Sequence, residues 1–233
     1  MLKPIIKRAL RKAGYQLSAR KPGFADLMRH HGIATVLDVG ANEGQYGAEL
    51  REHRFAGDII SFEPIAAVYD RLKSRAARDP RWTTVHKGVG DRDERRSINV
   101  SDATVFSSFL GLSAYSADKF VTARTLRTED VDVVRLDTYL VQAPLPPGPA
   151  YLKIDTQGFE KEVLFGAGAS LGHFKLVQAE LAVRQLYQDQ DDWLFIIRWM
   201  EERGFRVVAA KENGFDHDRV ELLELDIVFL NDR

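Results

Sequence analysis

The chain has 233 residues, 45% hydrophobic and 29% charged, which fits a globular protein and excludes global disorder. Its 33 Lys and Arg against 34 Asp and Glu leave a formal charge of -1. That balance argues against a chain whose main task is coating nucleic acid, because neutralising phosphates needs a basic surplus. Cysteine is absent, which removes disulfide frameworks, thiolate nucleophiles, cysteine-ligated zinc and iron–sulfur clusters together.

The charge is unevenly placed. Residues 1–25 hold Lys3, Lys7, Arg8, Arg11, Lys12, Arg20 and Lys21 and no acid, a local +7, so the remainder carries -8. Leu2, Ile5, Ile6, Ala9, Leu10 and Ala13 fall at helical spacing, with Gly14 placed to end the helix. Lys7 and Arg8 interrupt any apolar run, so no secretory segment is read, and no stretch reaches the ~20 apolar residues of a bilayer span. A cytoplasmic chain is the expectation. Two readings of the basic helix stand: it packs its apolar stripe on the domain, or residues 1–21 lie on an anionic membrane face or dock a partner.

From residue 33 onward the pattern alternates short apolar runs with amphipathic segments. ATVLDVG (34–40), DIISFE (58–63) and WTTVHKGV (82–89) read as strands, with helices over 45–53 and from Pro64 through Ala77. Residues 91–130 break the rhythm: RRSINV reads as a short strand, and the Ser-rich stretch with scattered aromatics that follows reads as a substrate loop at about 100–130. DVDVVRLDTYL has strand character up to Asp137. AYLKID (150–155) and KLVQAELAV (175–183) are buried strands flanking a helix that begins near Glu160, and Asp191 and Asp192 cap a helix running to Gly204. FRVVAAK (205–211) and LELDIVFL (223–230) have no helix between them and must pair antiparallel across a polar loop. The result is an α/β chain with a mostly parallel sheet closed by an antiparallel hairpin, in one domain over 33–233 behind an N-terminal basic helical extension, 1–32.

VLDVGANEGQYG (36–47) is the most informative segment. Counted from Gly40, the third position is Asn42, so the dinucleotide glycine fingerprint fails, and no Gly-Lys-Ser/Thr provides a phosphate loop. What stands there is an acid before the first glycine and Gly44 opening the next helix, which suits a ligand carrying both an ammonium and a carboxylate, such as S-adenosylmethionine. Glu63, 23 residues after Gly40 at the end of the second strand, is placed to accept ribose hydroxyls, and Asp91, past the third, to meet an adenine amino group. The cofactor set is then Asp38, Gly40, Asn42, Gly44, Tyr46, Glu63, Pro64, Asp91, Ser107 and Asp155. LKIDTQGFEKEVLFGA (152–167) puts Lys153 and Asp155 on one face of a buried strand, where burial requires them to be paired. Glu180 is a second acid near the end of an apolar strand.

VLDVGANEG, FEP, LKIDTQGFEKEVLFGA and the strand with Glu180 together resemble the FkbM family of S-adenosylmethionine-dependent O-methyltransferases, over residues 34–230. The resemblance implies a Rossmann-like class I methyltransferase, a seven-stranded sheet with its last strand reversed and helices on both faces. It also implies methylation of a hydroxyl on a sugar, glycan, glycolipid or natural product. Gln157 stands in the turn where such proteins often carry an acid. On this reading Asp155 is the base or its orienter, Lys153 tunes it, Glu180 grips the acceptor, and Ser107 and Ser108 wall the site. None of the six histidines has ligand spacing, so no metal is called for, although Asp155, Glu160 and Glu180 are the side chains a divalent cation would use. The alternatives are a non-catalytic cofactor-binding scaffold that docks a membrane or a glycosyltransferase, a nicotinamide-dependent oxidoreductase, and N- or nucleic-acid methylation. Against the last, Asp155-Thr156-Gln157-Gly158 stands where base methylation needs an Asn/Asp-Pro-Pro-aromatic turn.

Overall fold

In a computed structural model, which describes Lys12 and residues 23–233, the parallel sheet and the closing hairpin are both present. The basic helix read over residues 2–13 lies outside the described residues. Among those described, no helix is long and apolar enough to cross a membrane.

The sheet contains β1 (Thr35–Val39), β2 (Asp58–Phe62), β3 (Trp82–Val85), β7 (Ala150–Ile154), β8 (Phe174–Ala182), β9 (Phe205–Asp216) and β10 (Glu221–Asn231) in the order β3-β2-β1-β7-β8-β10-β9. β10 runs antiparallel to both neighbours. Buried runs such as Val36–Leu37 and Leu152 specify the central strands, which are covered on both sides and need no polar face. α1 (Phe24–His30), α2 (Gln45–Glu52) and α3 (Ala66–Ala76) cover one face, where Met28, Leu50 and Leu72 meet Val36, Ile59 and Tyr151. α5 (Leu136–Gln142), α6 (Glu160–Ala167) and α7 (Trp193–Glu201) cover the other with Leu140, Leu164 and Met200. Met28 ties α1 into this core, so residues just before the expected boundary at 33 pack with the body. Asp192 caps α7 through the backbone N–H of Leu194 at 2.7 Å.

Four expectations change. The third strand stops at Val85, and the chain bends into β4 (Gly88–Val89), which joins β5 (Glu94–Ser101) and β6 (Thr125–Val134) in a second sheet ordered β4-β6-β5. The 100–130 segment is therefore partly regular: a helical turn at Thr104–Phe106 and a short α4 (Ala114–Lys119) lie between β5 and β6. The run read as strand up to Asp137 is β6 ending at Val134 and then α5, because Leu136 and Leu140, four apart, share a buried helical face. The loop expected over 212–222 is mostly strand, with bulged pairing of β9 and β10 around Leu222–Leu225 and only a short turn at 217–220.

Gly166 lets α6 lie against β4: a Cβ there would fall 1.9 Å from the carbonyl oxygen of Gly90. Gly166→Ala must push the helix off the second sheet. The expected loss is about 1–3 kcal/mol, read as a lower urea midpoint with unchanged slope.

Candidate active site

The strand order reverses at β1, with β2 on one side and β7 on the other, and a crevice opens beyond the carboxyl ends of these strands. A cavity of about 230 Å³ occupies it. Gly40 makes the crevice possible. Its φ is +79°, and a Cβ there would sit 1.8 Å from the Asp155 carbonyl oxygen, so only glycine permits this approach of the β1 and β7 loops.

From β2 comes Glu63, 5% exposed, whose two carboxylate oxygens accept the backbone N–H groups of Asn42 at 3.0 Å and Ile65 at 2.8 Å. Burial outweighs those bonds and pushes its carboxyl up to about 7. Phe62, Ile65, Ile98 and Phe109 form an apolar wall, and Thr104, Val105 and Ser107 come from the segment after β5. Asn42 donates to the Thr104 hydroxyl at 3.3 Å, and the Ser108 hydroxyl donates to the Gln157 carbonyl at 2.6 Å, so this segment is bonded to both loops of the crevice.

The floor is charged. Lys153, 7% exposed, places its Nζ 3.3 Å from Asp38 Oδ1 and 3.0 Å from Asp155 Oδ2. Burial works against the ammonium, but the Asp155 and Asp38 carboxylates outweigh it and hold Lys153 protonated. Asp155 faces the cavity. Burial raises its carboxyl, yet the Lys153 charge and a hydrogen bond from Gln157 Nε2 at 3.0 Å bring it below the usual carboxylate range. Glu180, also lining the cavity, is pushed well up by burial and by the charges of Asp155, Glu224 and Glu160. It accepts from Gln157 Nε2 at 2.7 Å and from the Asn213 amide. Glu160 Oε1 accepts the N–H of Thr156 at 2.9 Å, the Thr156 hydroxyl at 3.1 Å and the N–H of Gly158 at 3.2 Å, closing the turn from inside. Burial pushes Glu160 up to about 7.

The cavity thus brings together Gly40, Asn42, Glu63, Pro64, Ser107, Asp155 and Glu180 of the expected set. Five others stand apart. Asp38 is fully buried beneath the floor, because the two-residue period of β1 turns it with Val36 toward α2, where Lys153 meets it. Lys153 lies in the same layer. Gly44 holds φ +83° at the start of α2, packed on Leu72 and Trp82. Tyr46 sits below with its ring 5.2 Å from Lys153 Nζ. Asp91 is carried away by the bend into β4; its carbonyl accepts from Arg135 at 2.6 Å and its carboxylate lies near Arg92. Thr156 and Gln157 line the cavity without having been in the expected set, and Tyr187 stands behind them. No spacing signal marks Tyr187, and only the LKIDTQGFE segment as a whole points to Thr156 and Gln157. Among the described residues no group of three or more His, Asp or Glu side chains is arranged to hold a metal ion.

Sheet order, reversed β10 and crevice define a Rossmann-like methyltransferase fold. Residues 38–207 match the model of the Methyltransferase FkbM domain, and the chain belongs to that family. Methyltransferase 1 of Beauveria bassiana is 22% identical over 187 residues, 76% of this chain and 74% of that protein. The AMB antimetabolite synthetase AmbE of Pseudomonas aeruginosa is 30% identical over 83 residues, 36% of this chain and only 4% of the synthetase. An rRNA methylase structure from Streptococcus thermophilus superposes with a TM-score of 0.51 at 9% identity, covering 93% of this chain and 100% of that one, a likeness of fold.

Glu160→Gln keeps the Oε1 acceptor and removes the titration. A carboxyl with a raised folded pKa binds more protons folded than unfolded, so it weakens the fold as pH rises from about 4.3 through about 7. The variant is expected to match the wild-type thermal midpoint at pH 4 and exceed it at pH 8.

Proposed function

We propose that this chain methylates a hydroxyl of a sugar, glycan, glycolipid or natural product with S-adenosylmethionine as donor. The observation that carries the reading is a half-buried carboxylate, Asp155, and a buried one, Glu180, sharing one cavity with Glu63 at the crevice of the sheet. The residues suit such a cofactor. Glu63 offers an acid inside an apolar wall, with capacity on each oxygen for a further hydrogen bond from a ribose hydroxyl. The ionised Asp155 offers negative charge suited to a cationic sulfonium. When bound, S-adenosylmethionine supplies an electrophilic methyl group.

The remaining work falls to the chain. Glu63 and the wall residues fix one reactant, and the segment bonded to Asn42 and Gln157 covers the other; alignment of this kind contributes ~7–11 kcal/mol. A hydroxyl is a weak nucleophile at neutral pH, so its proton must be taken as it reacts. Asp155 and Glu180 titrate as a pair, with Asp155 ionised and Glu180 holding the proton; Asp155 receives the acceptor's proton while Glu180 donates to the acceptor. Lys153 keeps Asp155 charged without touching the acceptor.

S-Adenosylhomocysteine is expected to raise the thermal midpoint and NAD to leave it unchanged, with Glu63→Ala weakening the former by about tenfold or more in calorimetry. With labelled donor and cell-extract fractions, label is expected in alkali-stable ethers of the glycan or glycolipid fraction, lowered about 10²–10⁴-fold by Asp155→Asn. Label entering RNA or protein instead, or none entering any fraction, defeats the reading.

A further inference from the structure

Gln157 stands where three lines of hydrogen bonds meet. Its φ of +56° is left-handed, which a non-glycine residue adopts when its surroundings impose it. Its Nε2 donates to Asp155 Oδ1 at 3.0 Å and Glu180 Oε2 at 2.7 Å. Its Oε1 accepts the Tyr187 hydroxyl at 2.7 Å, and its carbonyl accepts the Ser108 hydroxyl. Tyr187 is 2% exposed, and of the two acceptors near its hydroxyl Gln157 Oε1 at 2.7 Å is much nearer than the Phe106 carbonyl at 3.4 Å, so its proton settles which end of the Gln157 amide faces the acids. A primary amide carries two hydrogens on one nitrogen and so bridges two carboxylates without adding charge. Asp155 and Glu180 also lie within hydrogen-bond reach of each other, so an apolar side chain here would leave a shared proton as their only tie, and a glutamate would add a third acid.

We infer that Gln157 is the positioning residue of this site: its amide, oriented by the Tyr187 hydroxyl, bridges the Asp155 and Glu180 carboxylates and fixes how the two face the cavity. The mechanistic meaning of that bridge rests on the methyl-transfer reading, but the geometry does not. The charged groups around the pair are Lys153 and Asp38 beneath, Glu160 on α6, and Glu224 and Asp226 on β10. With one cation among so many acids, losing the amide's two donors drives the pair toward holding its proton between both residues.

Infrared titration of the unliganded full chain tests this through the protonated-carboxyl band, assigned to the pair by its change in Asp155→Asn and Glu180→Gln. Gln157→Met and Gln157→Glu are each expected to move the pair's ionisation upward by about one pH unit or more, and Tyr187→Phe to move it the same way by less. The acidic limb of kcat against pH is expected to follow, with kcat altered more than the KM for the donor. A Gln157→Met protein that keeps the wild-type thermal midpoint and the wild-type titration makes Gln157 a turn residue only and overturns the inference. If Gln157→Met does not fold, Tyr187→Phe decides by the same shift or its absence. Because the titration uses neither donor nor acceptor, failure to methylate any hydroxyl defeats the proposed function while this inference stands or falls on the band alone.

Discussion

The Lys153 ammonium, held between Asp38 and Asp155 under the crevice, is the constraint on which the rest of the structure depends. A buried ammonium or carboxylate costs several kcal/mol each unless paired. The pairing works only in one register, Asp38 opposite Lys153 across β1 and β7, and a slip of one residue would put the two charges on opposite faces of the sheet. That register belongs to the strand pair at which the sheet order reverses. The same ion triad that sets the pairing therefore sets where the crevice opens, where Gly40 meets the Asp155 carbonyl, and what charge faces the cavity.

Above this triad the site carries a surplus of acid. Glu63, Glu160, Glu180 and Glu224 are all raised by burial, and each of the last three lies within reach of another carboxylate's field. Backbone N–H groups and amides partly compensate them: Asn42 and Ile65 for Glu63, Thr156 and Gly158 for Glu160, Gln157 and Asn213 for Glu180. Donors without charge satisfy the oxygens but leave the potential negative. A neutral or cationic reactant is favoured in such a site and an anionic one is disfavoured.

The central architecture was legible because its strands are buried on both faces and read as continuous apolar runs, as in Thr35–Val39 and Ala150–Ile154. The second sheet was not. β5 and β6 are half-exposed, their Arg, Glu and Asp alternating with Ile98, Val100, Val131 and Val133, and the bend at residues 86–87 that sends the chain into that sheet leaves no mark stronger than one glycine. Asp91 stands away from the cavity for this reason: the third strand ends at Val85, before the apolar run 82–89 is finished. Glu63 and Asp155 were placeable because an acid at the end of a buried strand is costly and conspicuous. Asp38 obeys the same rule, but the partner that meets it is Lys153 of the neighbouring strand, beneath the cavity. The role of Gln157 depends on Tyr187, thirty residues away in the chain, and only the folded contact joins them.

β10 enters between β8 and β9, so the last strand in sequence is an interior strand in space. The half of the sheet that forms the Glu63 side of the crevice is built from residues before 90, whereas Asn213 and Glu224 reach Glu180 only when the hairpin has inserted. The Glu63 wall of the crevice thus comes from the first part of the chain, while the surroundings of the acid pair are completed by the hairpin. Opposite halves of the chain therefore share one site, and a change in the hairpin far from Glu63 reaches the cavity through Asn213 and Glu224.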